Sequence, residues 1–202
     1  MRKAVLISIQ PKWCELIASG KKTVEVRKSR PKLDTPFKVY IYCTKAPKGW
    51  VHIGKNLQLN TKVIGEFICK EIEELKRNTI FNAPALYSKS RLTRDEYFGY
   101  IGNKTAYIWH ISDLKIYDKP KELSDFSPAD CGKRRCFNCE CFDAEKPSCT
   151  LKRPPQSWCY VEEREDSPEL IRGASKPIAQ DVLASATDEG EDYIMGFTLM
   201  KG

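Results

Sequence analysis

Three local patterns follow one another in residues 5–28 and leave the chain little freedom in how to begin folding. Val5, Leu6, Ile7 and Ile9 form a β-rich apolar run. Pro11 suits the first turn of a helix, and Trp13, Leu16 and Ile17 recur at helical spacing before Gly20 closes the turn. Beyond Gly20 the period changes to two. Alternation then sets Thr23, Glu25 and Arg27 on one face of a strand and Lys22, Val24, Val26 and Lys28 on the other.

Further along, Phe37–Thr44 reads as a strand bounded by Pro36 and Pro47, and it is expected to pair with the strand holding Glu25. Residues 45–62 are irregular and carry Trp50, which either stacks on a base or packs locally. Val63–Ile72 is another strand, with Gly65 where the sheet bends or a ligand approaches the backbone. Within 73–103 the clearest helix covers 92–98, because Thr93 with Glu96 three places on makes a capping box; Gly99 and Gly102 end it. Ala106–Ile111 is a strand that Leu114–Tyr117 continues or follows, and Pro120, Leu123 and Phe126 wrap the chain back onto its core. Strands near residues 5, 25, 40, 67, 108 and 160 with short helices between them fit an α+β fold built on a small mixed β-barrel.

Charge divides the chain more sharply than its net value of +7 suggests. Residues 162–202 hold four Lys/Arg against ten Asp/Glu, a balance of −6, so residues 1–161 hold 30 against 17 and carry +13. A basic body followed by a flexible acidic tail results, and such a body attracts polyanions by counterion release and long-range steering. No apolar run is long enough for a membrane span or a secretory leader, so a cytoplasmic location is expected. With only His52 and His110, no serine- or cysteine-histidine triad stands out, and no phosphate-cradling glycine loop is present.

Nine cysteines occur, six of them within 29 residues: Cys131, Cys136, Cys139, Cys141, Cys149 and Cys159. Cys14, Cys43 and Cys69 lie in helix or strand contexts and read as small core hydrophobes. For the cluster, an odd total and a reducing compartment disfavour disulfides and leave metal binding or unligated thiols. Cys136 and Cys139 form a Cys-x2-Cys knuckle; with Cys131 and Cys149 they make a first-choice zinc set, with Cys141 and Cys159 as competitors and an iron–sulfur cluster as the alternative. Four thiolates leave no open position, so such a zinc is structural.

Gly20-Lys21-Lys22-Thr23-Val24-Glu25-Val26-Arg27, placed just after an N-terminal strand and helix, resembles the opening of the ASCH domain, a branch of the PUA-like superfamily known from bacterial and phage proteins. The strand Val63-Ile64-Gly65-Glu66-Phe67 and the segment 155–161 extend the resemblance to roughly residues 3–161. It implies a PUA-like domain over 1–161, interrupted by a Cys-rich insertion at 130–150 and followed by the acidic tail 162–202. It also implies a cleft between the strand after Gly20 and the helix of Glu96, flanked by Lys22, Glu25 and Arg27. Members bind RNA, hydrolyse acylated cytidine as amidohydrolases, or act as ribonucleases. By position Lys22 matches the catalytic lysine of the amidohydrolases and Glu96 their helical glutamate, while Glu25 replaces their threonine and removes its hydroxyl.

These readings lead to an expectation of RNA or modified-nucleobase binding, with Lys12, Lys21, Lys22, Arg27, Tyr42 and Trp50 as contacts. Two alternatives stand beside it. One is hydrolysis carried by Lys22, Glu25 and Glu96; the other is a protein-interaction scaffold using the tail. The bland alternative for the trio is a charge network that fixes the turn, and strict alternation would keep Lys22 away from Glu25 and Arg27 unless the strand end twists.

Overall fold

The computed structural model describes residues 2–46, 60–76, 84–129 and 149–164. The unit Met1–Arg164 is described below; Glu165–Gly202 forms a second unit that lies outside the described residues. The elements are β1 (Lys3–Ile9), α1 (Pro11–Ala18), β2 (Val24–Arg27), β3 (Phe37–Cys43), β4 (Val63–Leu75), α2 (Pro84–Ser90), α3 (Arg94–Ile101), β5 (Ala106–Lys121) and β6 (Trp158–Glu162), with a 3-10 turn at Leu123–Asp125.

Six strands form one sheet in the order β2-β5-β4-β3-β1-β6. β1 and β3 run parallel, with Ile7 opposite Ile41 and Ile9 opposite Cys43, and the other four pairings are antiparallel. This corrects the expectation that the strand from Phe37 pairs with the Glu25 strand: β2 pairs instead with β5, Glu25 opposite Trp109 and Arg27 opposite Tyr107. A parallel neighbour needs a long crossover, and the segment holding α1 and β2 supplies one between β1 and β3.

A closed barrel is not formed either. β2 and β6 are the two ends of the sheet and share no ladder; the segment that follows β2 touches β6 instead. Trp158 Nε1 donates to Ser29 Oγ at 3.1 Å, the backbone N–H of Lys32 donates to Tyr160 Oη at 2.7 Å, and the Trp158 ring reaches Trp109 on β5 at 6.1 Å between centroids. The sheet therefore curls until its ends approach, but β2 is only four residues long and Pro31 just beyond it has no N–H to extend a ladder.

β1 is buried on both faces, as a continuous apolar run requires. Val5, Ile7 and Ile9 join Phe37, Val39, Ile41, Phe67, Trp109 and the α1 residues Cys14 and Ile17 on one face. Ala4 and Leu6 join Tyr40, Tyr42, Val63 and Phe126 on the other. A third cluster sets Val24, Val26 and Ile108 against Leu86 of α2 and Tyr97 and Ile101 of α3. Gly65 serves a close approach, since a Cβ there would collide with the Lys115 carbonyl and meet Ile116 Cα at 3.2 Å. The close neighbour is therefore the backbone of β5.

Helix α3 runs through Gly99 to Ile101 and is capped by Gly102; its start is as expected, with Thr93 Oγ1 accepting from Glu96 N–H at 3.1 Å and Glu96 accepting from Thr93 N–H at 2.9 Å. β5 is one 16-residue strand that includes Leu114–Tyr117. At the other end, β6 continues to Glu162, and Glu163 N–H and Arg164 N–H donate to Arg2 O and Tyr40 Oη, so the folded unit extends past residue 161. Among the described residues no helix is long and apolar enough to cross a membrane.

Candidate functional site

β2 carries Val24 and Val26 into the cluster beneath α2 and α3, which forces Glu25 and Arg27 to the opposite face, beside Trp109. Lys22 escapes the alternation because the strand begins only at Val24. Gly20, with φ of +71°, turns the chain out of α1 in a left-handed conformation that favours glycine. Lys22 N–H then donates to Leu16 O at 2.8 Å, and Thr23 N–H donates to Lys89 O at 3.0 Å.

The three charged side chains converge and are buried: Lys22 is 2% exposed, Glu25 and Arg27 7% each. Glu25 lies between the cations, Oε2 at 3.3 Å from Lys22 Nζ and Oε1 at 3.0 Å from Arg27 Nη2. Lys22 Nζ also donates to the Ser90 carbonyl at the end of α2 (2.8 Å), and Arg27 Nη2 donates to the Ser8 carbonyl at the end of β1 (2.7 Å). One row of charges thus ties β1, β2 and α2 together. Even so, Glu25 Oε2 and Arg27 Nε are buried and have no hydrogen-bond partner among the described residues. Buried polar groups are rarely left so; Glu25 Oε2 keeps the Lys22 ammonium as its ion-pair partner, and the Arg27 Nε–H is the donor left over.

Aromatic rings stand at both ends of the row. Trp13 of α1 lies 5.2 Å from Lys22 Nζ and 4.4 Å from Lys12 Nζ. At the other end, Tyr100 of α3 stands beside Arg27: burial pushes its hydroxyl up, while the charge of Arg27 and a hydrogen bond from it pull the opposite way. Tyr100 is also 38% exposed, and Lys28 Nζ lies 4.6 Å from its ring.

The remaining expected residues divide. Lys12 is exposed and pairs with Glu96 at 2.7 Å. Glu96 therefore reaches the trio only through Lys12 and Trp13, and its carboxyl is held below its ordinary range, first by the Lys12 hydrogen bond and then by the Thr93 N–H. Lys21 is exposed, and its carbonyl accepts from Arg91 Nε. Tyr42 is 5% exposed and packs in the cluster on the opposite face of β3, away from the trio. Trp50 lies outside the described residues, as do Cys131, Cys136, Cys139 and Cys141; Cys149 is described and buried, and burial pushes the Cys159 thiol up to about 11. Among the described residues, Glu71 and Glu73 of β4 and His110 of β5 place ligand atoms within 4.8 Å of one another.

Sequence reasoning missed Ser8, Ser90, Trp13 and Tyr100. Tyr100 had a signal, being four residues after Glu96 and so on the same helical face. Ser8 and Ser90 contribute carbonyl groups, which no residue type advertises.

No curated protein matches the chain. Among solved structures, it is similar to the ASCH protein from Zymomonas mobilis, with 21% identity over 84% of this chain and 91% of that one and a TM-score of 0.51. A serine-to-alanine mutant of the same protein gives 22% identity, 80% and 90% coverage and a TM-score of 0.52. Those likenesses establish the fold. Residues 7–101, which run from the end of β1 through α1, the charged turn and α3, match the ASCH domain, and the chain therefore carries an ASCH domain over that stretch.

Proposed function

We propose that this chain binds RNA, or a ligand built on a nucleobase, where Lys22, Glu25 and Arg27 converge. The observation that carries the reading is the convergence of Lys22, Glu25 and Arg27 in one buried row, in which Arg27 Nε has no hydrogen-bond partner among the described residues. A base edge or a phosphate offers an acceptor to that N–H, and the guanidinium of Arg27 is a planar fork suited to bases and phosphates alike. The +13 charge of residues 1–161 supplies the long-range attraction. Exposed Lys12 and Lys21 are the backbone contacts.

Fluorescence anisotropy with a labelled single-stranded RNA tests this. Affinity falls as salt rises, and Arg27→Lys, which keeps charge but loses the fork, weakens binding roughly 5- to 150-fold. Affinity indifferent both to salt and to Arg27→Lys overturns the reading.

The contact between buried Lys22 and Glu25 also supports hydrolysis of an acylated cytidine or of RNA, with Lys22 moving the proton. Product formation that disappears in Lys22→Ala supports that version, and an intact substrate after prolonged incubation rejects it. A structural zinc on Cys131, Cys136, Cys139 and Cys149 and a cytoplasmic setting that keeps those thiols reduced belong to the same proposal.

A further inference from the structure

The β4–β5 ladder brings two carboxylates and an imidazole together, away from the charged row. Glu73 and Ile72 of β4 stand opposite Ile108 and Trp109 of β5, and the same register carried one step further sets Glu71 opposite His110. Beyond Glu71 the register breaks: Cys69 faces Ile111, so β4 holds one residue more than β5 between these pairs, and the Cys69 thiol lies 3.3 Å from the Glu71 carbonyl in the bulge. Period two puts Glu71 and Glu73 on the face of Leu75, and His110 on that of Ile108. Leu75 and Ile108 both pack in the cluster under α2 and α3, so the three polar groups share that side of the sheet, whereas Trp109 turns to the side of Glu25. Glu71 and Glu73 are exposed and His110 is partly exposed, so the group is open to solvent. Elsewhere Glu96, Glu122 and Asp113 are each met by a lysine. Lys70, next to Glu71 in sequence, pairs with Asp113 at 2.9 Å, and Glu73 Oε1 contacts His110 Nε2. Among the described residues neither glutamate has a lysine or arginine partner.

We infer that Glu71, Glu73 and His110 form a binding site for a divalent metal ion of the manganese and ferrous-iron class. Their three ligand atoms all lie within 4.8 Å of one another. Around an ion with ligands at about 2.0–2.2 Å, neighbouring ligand atoms stand roughly 3–3.6 Å apart, so rotation of the exposed glutamates is enough to close the shell. The ion takes the place of the proton shared between His110 Nε2 and Glu73 Oε1, and Glu71 adds the second carboxylate. The imidazole separates this set from a pair of surface acids, because a nitrogen donor raises affinity for first-row ions above that for calcium or magnesium. One nitrogen and two carboxylate oxygens with no thiolate make a harder set than the four sulfurs that the cysteine run offers zinc. Three protein ligands also leave positions open for water or an anionic oxygen.

The test titrates the full-length chain with Mn2+ and follows the electron paramagnetic resonance signal of the free ion, which fades on binding. The expected result is uptake of one Mn2+ per chain, with spin-echo modulation from a directly bound nitrogen. His52 is the only other histidine in the chain, so loss of that modulation in His110→Ala assigns the nitrogen. His110→Ala and Glu73→Gln each weaken Mn2+ binding by at least the roughly 10- to 100-fold that loss of an outer-shell partner costs. Asp113→Asn, which alters an exposed carboxylate paired with Lys70, leaves the affinity unchanged. An undiminished free-ion signal from the wild-type chain at millimolar Mn2+, or uptake without nitrogen modulation, overturns the inference whether or not a variant folds. Affinity that falls as far in Asp113→Asn as in Glu73→Gln overturns it too, because the ion is then gathered by surface charge alone.

Discussion

Removing the Glu25 carboxylate with Glu25→Ala probes the charged row most directly. At 3.3 and 3.0 Å from its two partners, Glu25 gains roughly 5 kcal/mol of attraction from each at an effective dielectric of about 20. Most of that is offset, because withdrawing each ion from water costs several kcal/mol. The intact row is thus close to break-even, but the alanine variant leaves Lys22 and Arg27 buried without their counter-charge. A loss of about 3–5 kcal/mol is expected, or roughly 6–20 °C in Tm for a chain of this size. The decisive comparison is the triple variant Lys22→Met, Glu25→Leu, Arg27→Met, which has no buried charge to strand. It should fall within about 1 kcal/mol of the parent or exceed it by up to ~4 kcal/mol, while losing RNA affinity. Urea unfolding and anisotropy on the same preparations measure both properties. A Glu25→Ala loss below about 1 kcal/mol, or a triple variant as damaged as the single one, refutes the reasoning.

Other consequences are simpler to read. Gly65→Ala pushes a Cβ into the Lys115 carbonyl and should destabilise the fold by about 1–3 kcal/mol in urea melts, without a selective loss of RNA affinity. Thr93→Ala removes the α3 cap at about 1 kcal/mol. Because the Glu96 carboxyl is held below its ordinary value near 4.5, its contribution is present above that pH and disappears as pH falls through the lower folded value. Acid unfolding monitored by circular dichroism should therefore begin at higher pH in Lys12→Ala, by a small margin because the pair is exposed. If the cysteine run holds zinc, elemental analysis gives one metal per chain; a chelator removes it and lowers Tm, and Cys136→Ser prevents its uptake.

Local rules made several elements legible. The change of period at Gly20, the Thr93–Glu96 box and the β-branched runs of β1, β3 and β5 each specify an element from neighbours within a few residues. The candidate charges were legible for a similar reason, since a short strand bearing Glu25 and Arg27 after a lysine-rich turn exposes its pattern in sequence.

What the sequence by itself determined, then, was which segments become helix or strand and which side chains share a face. Tertiary structure decided the partners: the parallel pairing of β1 with β3, the pairing of β2 with β5, and the curl that stops short of a barrel. It also buried Tyr42 away from the trio and brought Lys22 to Glu25 from outside the strand. Periodicity is a property of the backbone and can be read locally. Convergence depends on which distant surfaces pack together, and on carbonyl groups such as those of Ser8 and Ser90 that every residue type shares.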